Sequence, residues 1–432
     1  MIRILIYLIY EFLRLLSKIS IAVFYHPVVT VNTEKIDIDE PAILVSNHPN
    51  TLLDPLNVGI RVRRQIYFLA NSDLFASKIG NFFFSNVHCI PIQRKTDKHV
   101  VDNNSSFDKA IAFLAKGGLL YIAPEGDSEM GRRLRPLKSG TARIALATEA
   151  AHDWNLGLLI LPAGLTYEKS NYFRTRSTVM GGEPIRVSDY RAAYEQDAYA
   201  TVHQLTQELS TRMASLAVYT ADESEDELLA QIETLYREEN PISPKADFFR
   251  SRTLIKELQQ IRVQDHHQYK QIQQSLQALF TEVKRHGINT KAIFDHQLRH
   301  SWGYSLLVLV VGLPFFLVGF LNNALAALIP VAIVGRIELY KGYEATAKAL
   351  MGFITFAIFW GLQTWLIYHY FDAWAAFIYV VLLYPTGILA WEYYQYARQV
   401  LRNWRFRRLS KTQQSALIAQ RTTAWRMIKE LI

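Results

Sequence analysis

The stretch AILVSNHPNTLLDP, residues 42–55, joins an apolar run to a polar turn that contains one imidazole and one carboxylate. A short continuous apolar run bounded by turn residues is typical of a buried β-strand. Open α/β sheets place their chemistry at the carboxyl ends of strands and in the loops that follow. His48 and Asp54 are therefore candidates for a catalytic pair, although Asp54 would also serve as an ordinary residue at the start of a helix.

Four further apolar runs follow before Gly182. They read QIYFLA at 65–70, HCIPI at 88–92, LLYIAP at 119–124 and LLILPAGLTY at 158–167. Helical patterns of about a dozen residues lie between them. Strands that alternate with helices predict an α/β domain over residues 31–220, in which a mixed sheet is flanked by helices, and all-α regions are expected after it.

The composition is too apolar for an ordinary soluble protein, because 50% of the 432 residues are hydrophobic and only 20% are charged. Part of the chain is therefore expected to lie in lipid. The formal net charge of +8 favours an acidic partner, such as anionic lipid headgroups or a phosphorylated small molecule, and by itself leaves nucleic acid open. The single cysteine, Cys89, excludes an internal disulfide and any multi-cysteine metal site, which fits a reducing compartment.

Residues 1–30 begin with an apolar segment whose few charges cluster. Arg3, Glu11, Arg14 and Lys18 fall within a wedge of about 80° on a helix. This pattern predicts an amphipathic helix that lies in the membrane surface. An amphipathic helix docked on the following domain is the alternative. A secretory signal peptide is not indicated, because the segment lacks the short uncharged core and the small-residue cleavage site.

A polar helical region is predicted over residues 221–300. It opens with the acidic segment ADESEDELLAQIETLYREEN and continues with a Gln-, His- and Lys-rich stretch from about residue 251 to 299. His266 and His267 resemble a metal-binding pair, but no further close ligands accompany them. A solvated helix face is the favoured interpretation, and no metal site is predicted.

Residues 301–395 contain uncharged runs that are typical of lipid-facing helices. The run at 303–335 is long for one membrane span and short for two, and Asn322-Asn323 in its middle indicates a turn. We predict a helical hairpin there. Single spans are predicted at 349–371 and 373–391.

The basic residues around the spans predict their orientation. Lys and Arg precede the span at 349–371 and crowd the tail at 396–432, whereas the short loop between the two spans has neither. By the positive-inside rule both outer ends of this pair lie in the cytoplasm, and the catalytic domain and tail are placed there too, at the inner membrane if the protein is bacterial. The tail is expected to form a basic amphipathic helix on the membrane surface rather than a nucleic-acid site.

Charged side chains in four segments indicate chemistry at one edge of the predicted sheet. The segments are the loop of His48, the strand end at Arg94, the turn at 124–128 with the basic stretch 132–138 behind it, and the apolar run that ends at Tyr167 and continues to Arg174 and Arg176. A neutral histidine is a competent base near neutral pH, and a carboxylate fixes its tautomer. No cysteine or G-x-S-x-G elbow accompanies the pair, so the predicted nucleophile is a substrate hydroxyl. The basic residues favour an acceptor that carries phosphate.

In this order the four segments resemble the sequence blocks of the PlsC-like glycerolipid acyltransferases: N-H-x-x-x-x-D, a strand that ends in arginine, P-E-G, and an apolar block with proline. The resemblance covers roughly residues 30–215. It implies transfer of a fatty acyl group from acyl-CoA or acyl carrier protein to glycerol 3-phosphate or 1-acylglycerol 3-phosphate in phospholipid biosynthesis, without a cofactor or metal. It implies that His48 and Asp54 are catalytic. The substrate-binding residues that it implies are Arg94, Glu125, Gly126, Ser128, Arg135 and Lys138.

The first departure from the family pattern lies within the first block. Five residues separate His48 from Asp54, whereas the family usually has four. Either the loop around 49–51 absorbs one residue, or His48 works with weaker support from the carboxylate. We favour the first interpretation, which predicts a direct contact between the two side chains.

The second departure lies in the third block, where Ser128 replaces the arginine that usually follows E-G-T. The form PEGDSEMGRRLRPLKSG resembles a branch that includes glycerol-3-phosphate and dihydroxyacetone-phosphate acyltransferases of eukaryotic type. Arg132, Arg135 and Lys138 are then candidates for the missing cation. Glu125 either orients the hydroxyls of the acceptor or braces its own turn.

Two other functions are compatible with the sequence. With the same fold, the acceptor would be another lysolipid or an amino-lipid. From a different class, the chain would be a non-catalytic membrane scaffold or a transport component, but the uncharged spans argue against an ion pathway. The predicted partners are membrane lipids, acyl-CoA or acyl carrier protein, and a phosphorylated glycerol acceptor, with no nucleic acid.

Overall fold

The computed structural model describes residues 2–86, 88–93, 97–297, 301–339 and 341–431. The chain forms two compact units. The first contains residues 1–221 together with 340–346, and the second contains residues 222–339 and 347–432. All predicted catalytic and substrate-binding positions therefore fall in the first unit.

The first unit is built on an eight-stranded sheet. Its strands are β1 Tyr25–Val31, β2 Ala42–Ser46, β3 Ile66–Asn71, β4 Cys89–Ile92, β5 Leu119–Ile122, β6 Leu159–Tyr167, β7 Thr175–Gly181 and β8 Ile185–Arg186. They lie in the order β1-β7-β6-β2-β5-β3-β4, and β8 pairs with β6. β2 is central, with Leu44 aligned to Tyr121 of β5 and to Leu161 of β6.

The sheet is mixed, as the sequence predicts. β6 runs antiparallel to β7 and β8, and the other described pairs are parallel. The five apolar runs identified in the sequence correspond to β2 through β6. β1, β7 and β8 are not predicted, because β1 directly continues the N-terminal apolar segment and β8 is only two residues long. Since β1 belongs to the sheet, the predicted domain start at residue 31 is too late.

Helices pack against the sheet of the first unit. They are α1 Ile2–Phe24, α2 Leu53–Gly59, α3 Lys78–Asn86, α4 Asn103–Leu114, α5 Gly140–Ala150, α6 Arg191–Gln196 and α7 Ala198–Ala214. Residues of α4, α5 and α7 bury a large apolar cluster that includes Ile43, Ile122 and Ile160 of the central strands. Burial of each such side chain contributes about 1.5 to 3 kcal/mol relative to exposure, so this layer anchors the strands that lead to the predicted site.

Helix α1 turns its apolar side chains outward. Leu8, Phe12 and Leu15 are exposed, whereas the Arg14 guanidinium donates to the carbonyl oxygens of Val62 and Arg63. A helix docked through its apolar face would show the opposite arrangement. The helix thus contacts the domain and also exposes apolar side chains, and its position in a membrane surface stays a prediction.

The described residues of the second unit form helices and short connections. The helices are α8 Glu223–Glu239, α9 Pro244–Gln264, α10 His266–Arg285, α11 Thr290–Gln297, α12 Trp302–Val334, α13 Lys341–Tyr370, α14 Ala373–Arg407 and α15 Lys411–Lys429, of which α13 begins in the first unit. The polar stretch predicted from about 251 to 299 is divided among α9, α10 and α11. Asp265 accounts for one of these breaks, because its side chain accepts from Gln268 N–H and caps α10.

Helices α12, α13 and α14 are long and apolar enough to cross a membrane. α13 and α14 contain the spans predicted at 349–371 and 373–391, apart from residue 371, and each helix extends beyond its uncharged run. At a rise of about 1.5 Å per residue, each of the three helices exceeds the roughly 30 Å of a hydrocarbon core. Their polar ends are therefore expected to reach the interface.

The hairpin predicted at 303–335 is wrong, because α12 continues without a turn through Asn322 and Asn323. Each of these side chains donates to the carbonyl oxygen four residues before it. Neighbouring helices supply further partners, since the Trp360 indole donates to Asn323 Oδ1 at 3.0 Å and the Tyr379 hydroxyl donates to Asn322 Oδ1. Amide side chains satisfied in this way need no turn, and they join neighbouring apolar helices.

The surface helix predicted for the tail is also wrong. Residues 396–407 continue α14, in which Phe406 is fully buried, and α15 packs along α10. Arg421 of α15 is buried and pairs with Glu238 and Glu239 at 3.0 and 2.6 Å. The tail is amphipathic, as its sequence indicates, but the apolar face of α15 packs against protein.

Candidate active site

The carboxyl ends of neighbouring strands bring the predicted site residues together. β2 and β5 are parallel neighbours, so the loop of His48 and the turn of Glu125 leave the same edge of the sheet. β6 lies on the other side of β2, also parallel to it, and ends at Tyr167. Residues from three separate sequence blocks therefore surround one strand end.

His48 and Asp54 form a hydrogen-bonded pair, with His48 Nδ1 3.0 Å from Asp54 Oδ2. The Asp54 side chain is fully buried in the first turn of α2, whereas the His48 side chain is 17% exposed. Because the carboxylate engages Nδ1, the imidazole keeps Nε2 for a substrate. The pair thus has the arrangement of a general-base histidine whose tautomer is fixed by a carboxylate.

Thr51 has an unusual backbone conformation in the loop between His48 and Asp54. Its φ of 36° lies in the left-handed region. That region costs a residue with a Cβ about 1 to 2 kcal/mol. Thr51 N–H donates to Ser128 Oγ at 2.8 Å, and Thr51 Oγ1 lies 3.2 Å from the Gly342 carbonyl oxygen and 2.9 Å from Thr346 Oγ1. The direct contact between imidazole and carboxylate that the favoured interpretation predicts is present.

Burial dominates the electrostatics of Asp54. Desolvation raises the pKa of its carboxyl group, and hydrogen bonds from His48 and from the Asn50 N–H, at 2.5 Å, act in the opposite direction. Three buried tyrosines lie close enough to feel its charge: Tyr25, Tyr121 and Tyr167. The pKa of each phenol is raised, first by burial and then by this carboxylate. The three phenols therefore stay neutral near pH 7.

Glu125 braces the backbone of the His48 loop. His48 N–H donates to Glu125 Oε1 at 3.3 Å, and Glu125 Oε2 lies 2.5 Å from a guanidinium nitrogen of Arg135. Arg135 also donates to the His48 carbonyl oxygen at 3.4 Å. Burial raises the pKa of Glu125, and the charge of Arg135 opposes this rise. Of the two roles that the sequence allows for Glu125, these contacts match the bracing role.

Gly126, Ser128 and Lys138 shape the same turn. Gly126 has a φ of 83°, which favours glycine. The backbone N–H of Lys138 donates to the Pro124 carbonyl oxygen at 2.7 Å, and its Nζ lies 3.4 Å from Asp127 Oδ2. These contacts support the loop, and the substrate-binding role of the three residues stays a prediction.

Arg94, the predicted phosphate ligand, lies outside the described residues. Strand β4 precedes Arg94 in the sequence and ends at Ile92. Because β4 is parallel to β3 and β3 is parallel to β5, the carboxyl end of β4 lies at the same edge of the sheet as that of β5. The backbone carbonyl oxygen of Arg132, another candidate cation, accepts a hydrogen bond from the Thr220 N–H at 2.6 Å. The phosphate-binding roles of both arginines stay predictions.

Hydrogen bonds from Asn47 and Asn50, which the sequence does not predict, hold the loop against the rest of the domain. The Asn47 side chain accepts from Leu165 N–H at 2.7 Å and donates to the Leu165 carbonyl oxygen at 2.9 Å. Asn50 Nδ2 donates to the Tyr25 hydroxyl at 2.5 Å and to the Ser170 carbonyl oxygen at 2.8 Å. An amide residue directly after a strand is a signal for Asn47. Tyr25 and Ser170 carry no local signal, because they are distant in sequence.

Within the ranges that the structure describes, no cluster of three or more His, Cys, Asp or Glu side chains could hold a metal ion. The two adjacent histidines of α10, His266 and His267, are exposed, and His266 stacks on Tyr269 with ring centroids 6.2 Å apart. Both histidines therefore lie on an exposed face of α10.

A comparison with known protein families identifies the domain that carries this geometry. Residues 28–166 match the family model described as Acyltransferase. These residues therefore resemble an Acyltransferase domain, and the rest of the chain lies outside the match. The matched residues contain the pair of His48 and Asp54, the loop of Thr51 between them, and the turn of Glu125.

Individual proteins are similar to part of the chain. Glycerol-3-phosphate O-acyltransferase 2 of Saccharomyces cerevisiae is 32% identical over 123 residues, which are 28% of this chain and 16% of the yeast protein. A chloroplastic 1-acyl-sn-glycerol-3-phosphate acyltransferase of Arabidopsis thaliana is 24% identical over 145 residues, 33% of this chain and 39% of the plant protein. The crystal structure of the 1-acyl-sn-glycerophosphate acyltransferase PlsC from Thermotoga maritima, 17% identical, covers 48% of this chain and 80% of that chain with a TM-score of 0.36. The chain thus spans less than half the length of either curated relative.

Proposed function

We propose that this protein is a membrane-bound acyltransferase that transfers a fatty acyl group from acyl-CoA or acyl carrier protein to a hydroxyl of glycerol 3-phosphate or 1-acylglycerol 3-phosphate. The observation that carries the proposal is the 3.0 Å contact between His48 Nδ1 and Asp54 Oδ2 within an Acyltransferase domain. The names of the yeast and plant relatives support the acceptor class. The three apolar helices support the membrane location.

In this reaction His48 acts as general base. Its Nε2 takes the proton of the acceptor hydroxyl while the hydroxyl oxygen attacks the carbonyl carbon of the thioester. The ester C–O bond forms, the C–S bond breaks, and the leaving thiolate receives the proton that His48 held. Asp54 stabilises the imidazolium through Nδ1. No covalent acyl-enzyme is needed, because the nucleophile belongs to the substrate.

The test of the acceptor compares glycerol 3-phosphate, dihydroxyacetone phosphate, 1-acylglycerol 3-phosphate, an unphosphorylated lysolipid and an amino-lipid. Each is assayed with one long-chain acyl-CoA, and products are identified by mass spectrometry. We expect an acylated product from glycerol 3-phosphate or 1-acylglycerol 3-phosphate. If only an unphosphorylated lysolipid or an amino-lipid is acylated, the proposed acceptor class is wrong, but the proposed acyltransferase activity is supported. Absence of transfer to every acceptor, with acyl carrier protein also tried as donor carrier, would contradict the proposal.

We propose Arg94 as the phosphate ligand, because Arg135 and Lys138 already lie near carboxylates. A charge-assisted, bidentate contact contributes about 1.5 to 3 kcal/mol. Arg94→Ala is therefore expected to raise KM for the phosphorylated acceptor by roughly 10- to 100-fold while KM for the acyl donor changes little. Lys138→Ala serves as the comparison and should raise the acceptor KM less. An equal rise in both KM values of Arg94→Ala would count against this role.

We further propose that the Acyltransferase domain and the tail face the cytoplasm. Lys341 begins α13 and Arg407 ends α14, whereas the connection at Asp372 between these helices has no Lys or Arg. Lys341 belongs to the same compact unit as His48, which supports a site on the same side of the membrane as this basic flank.

Cysteine labelling tests this orientation. In a Cys89→Ser background, Tyr199→Cys and Ser410→Cys place a thiol at an exposed position of the domain and of the tail. We expect a membrane-impermeant maleimide to label either site only after the membrane is opened. Labelling of Tyr199→Cys in intact cells would mean that the domain faces outward, and the proposed orientation would fail.

A further inference from the structure

The loop of the proposed catalytic pair is tied to a segment far along the chain. Thr51 Oγ1 lies 3.2 Å from the Gly342 carbonyl oxygen and 2.9 Å from Thr346 Oγ1, at sequence separations of 291 and 295 residues. Gly342 and Thr346 lie in the first turns of α13, in the part that belongs to the first unit. Thr51 and Thr346 are both buried, so water does not offer a ready substitute for this contact.

The direction of these bonds follows from the hydrogens available. A hydroxyl donates one hydrogen, and a carbonyl oxygen can only accept. The Thr51 hydroxyl therefore donates to the Gly342 carbonyl and accepts from the Thr346 hydroxyl. Thr346 is thus the donor at the start of a short chain that ends on the backbone of α13.

Thr51 holds the backbone on which the pair depends. Its φ of 36° is one that a β-branched residue adopts only where the surrounding contacts enforce it. The preceding residue, Asn50, donates its N–H to Asp54 Oδ2 at 2.5 Å, and the same oxygen lies 3.0 Å from His48 Nδ1. A shift at Thr51 therefore moves the amide that holds this oxygen against the imidazole.

We propose that Thr346 is a positioning residue for His48 and Asp54, and that the first turns of α13 are a working part of the active site. This inference rests on the proposed function, because it concerns how the proposed base is held. The loop has one residue more than the family pattern, and α13 supplies contacts that stabilise the conformation which this residue requires. Residues beyond the Acyltransferase domain thereby contribute to its chemistry.

The first test compares substitutions on one helix. Thr346→Val replaces the hydroxyl with a methyl group and keeps the shape, Thr346→Ser keeps the hydroxyl, and Thr346→Ala removes both the hydroxyl and the γ-methyl group. Thr355→Val is the matched control, because the Thr355 hydroxyl donates to the Ala326 carbonyl oxygen within the second unit. We expect Thr346→Val and Thr346→Ala to lower kcat by about 5- to 30-fold with both KM values within about twofold. Thr346→Ser and Thr355→Val should match the unchanged protein.

A double-mutant cycle tests whether the two hydroxyls act through one bond. Thr51→Val is expected to lower kcat as well. If Thr346 acts through Thr51, the variant with both substitutions is no slower than the slower single variant. Multiplication of the two single effects would show that they act independently and would overturn the inference.

Hydrogen–deuterium exchange of the full-length protein in detergent gives a readout independent of activity. In Thr346→Val the peptide that covers residues 47–54 should exchange about tenfold faster, because the Asn50 amide loses its fixed partner, while Thr355→Val exchanges as the unchanged protein does. If this response appears but no acceptor is acylated, the proposed function fails and the tie to α13 stands. Unchanged exchange in Thr346→Val, or a change in KM with kcat unaffected, would overturn the positioning role.

Discussion

His48→Ala is expected to lower kcat for acyl transfer by about 10²- to 10⁴-fold, the contribution of a positioned general base. The imidazole is the group of the pair that reaches solvent, since the Asp54 side chain is fully buried. Its removal takes away the proton acceptor for the attacking hydroxyl and leaves the binding surfaces in place. Steady-state kinetics with a saturating acyl donor measure the effect.

His152→Ala is the matched control for this prediction. His152 is a partly buried histidine of the same unit whose Nδ1 lies 2.9 Å from the Thr148 carbonyl oxygen, at the end of α5. Its removal should leave kcat unchanged. Full activity in His48→Ala, with the thermal unfolding of the variant unaltered, would show that His48 is not the base.

Asp54→Asn is expected to lower kcat by at least about 100-fold and, at the same time, to raise the unfolding temperature at neutral pH. The loss of activity follows because a neutral amide does not stabilise the imidazolium. The gain in stability follows because the folded protein no longer buries a charge, whose desolvation raises the pKa of Asp54.

The sign of the pH dependence follows from this raised pKa. A carboxyl group whose pKa is higher in the folded than in the unfolded protein stabilises the fold most below its unfolded pKa, about 3.9, and less as pH rises through its folded pKa. The unfolding temperatures of Asp54→Asn and the unchanged protein should therefore differ most at neutral pH and converge towards pH 4. Differential scanning fluorimetry across this range measures both.

Asp222→Asn provides a control of opposite sign. Asp222 caps α8, and hydrogen bonds from backbone N–H groups and from Arg262 hold its pKa below the usual value. Its charge therefore stabilises the fold above its unfolded pKa, and Asp222→Asn should not raise the unfolding temperature at neutral pH. A lower unfolding temperature for Asp54→Asn than for the unchanged protein at neutral pH would contradict the interpretation of the buried carboxylate.

Local sequence patterns are sufficient to predict the centre of the fold. The strands β2 through β6 are short apolar runs bounded by turn residues, and such runs are visible without tertiary contacts. The closeness of His48, Asp54 and Glu125 follows from the same patterns, because parallel strands bring their carboxyl ends to one edge.

Contacts between distant segments account for what the sequence does not predict. Nothing near Thr51 indicates that its hydroxyl meets Thr346, 295 residues later. The tyrosines around Asp54 come from three strands, and none has a local pattern that marks it. The errors at α12 and α15 have the same origin, since Asn323 and Arg421 are satisfied by helices that a local pattern does not reveal.

Acceptor-dependent release of free thiol from a long-chain acyl-CoA by the purified full-length protein tests the proposed chemistry most directly. We expect little release with the donor alone, a large increase on addition of glycerol 3-phosphate or 1-acylglycerol 3-phosphate, and loss of that increase in His48→Ala. An increase of the same size in His48→Ala, or release that does not depend on any phosphorylated acceptor, would contradict general-base acyl transfer by the pair of His48 and Asp54.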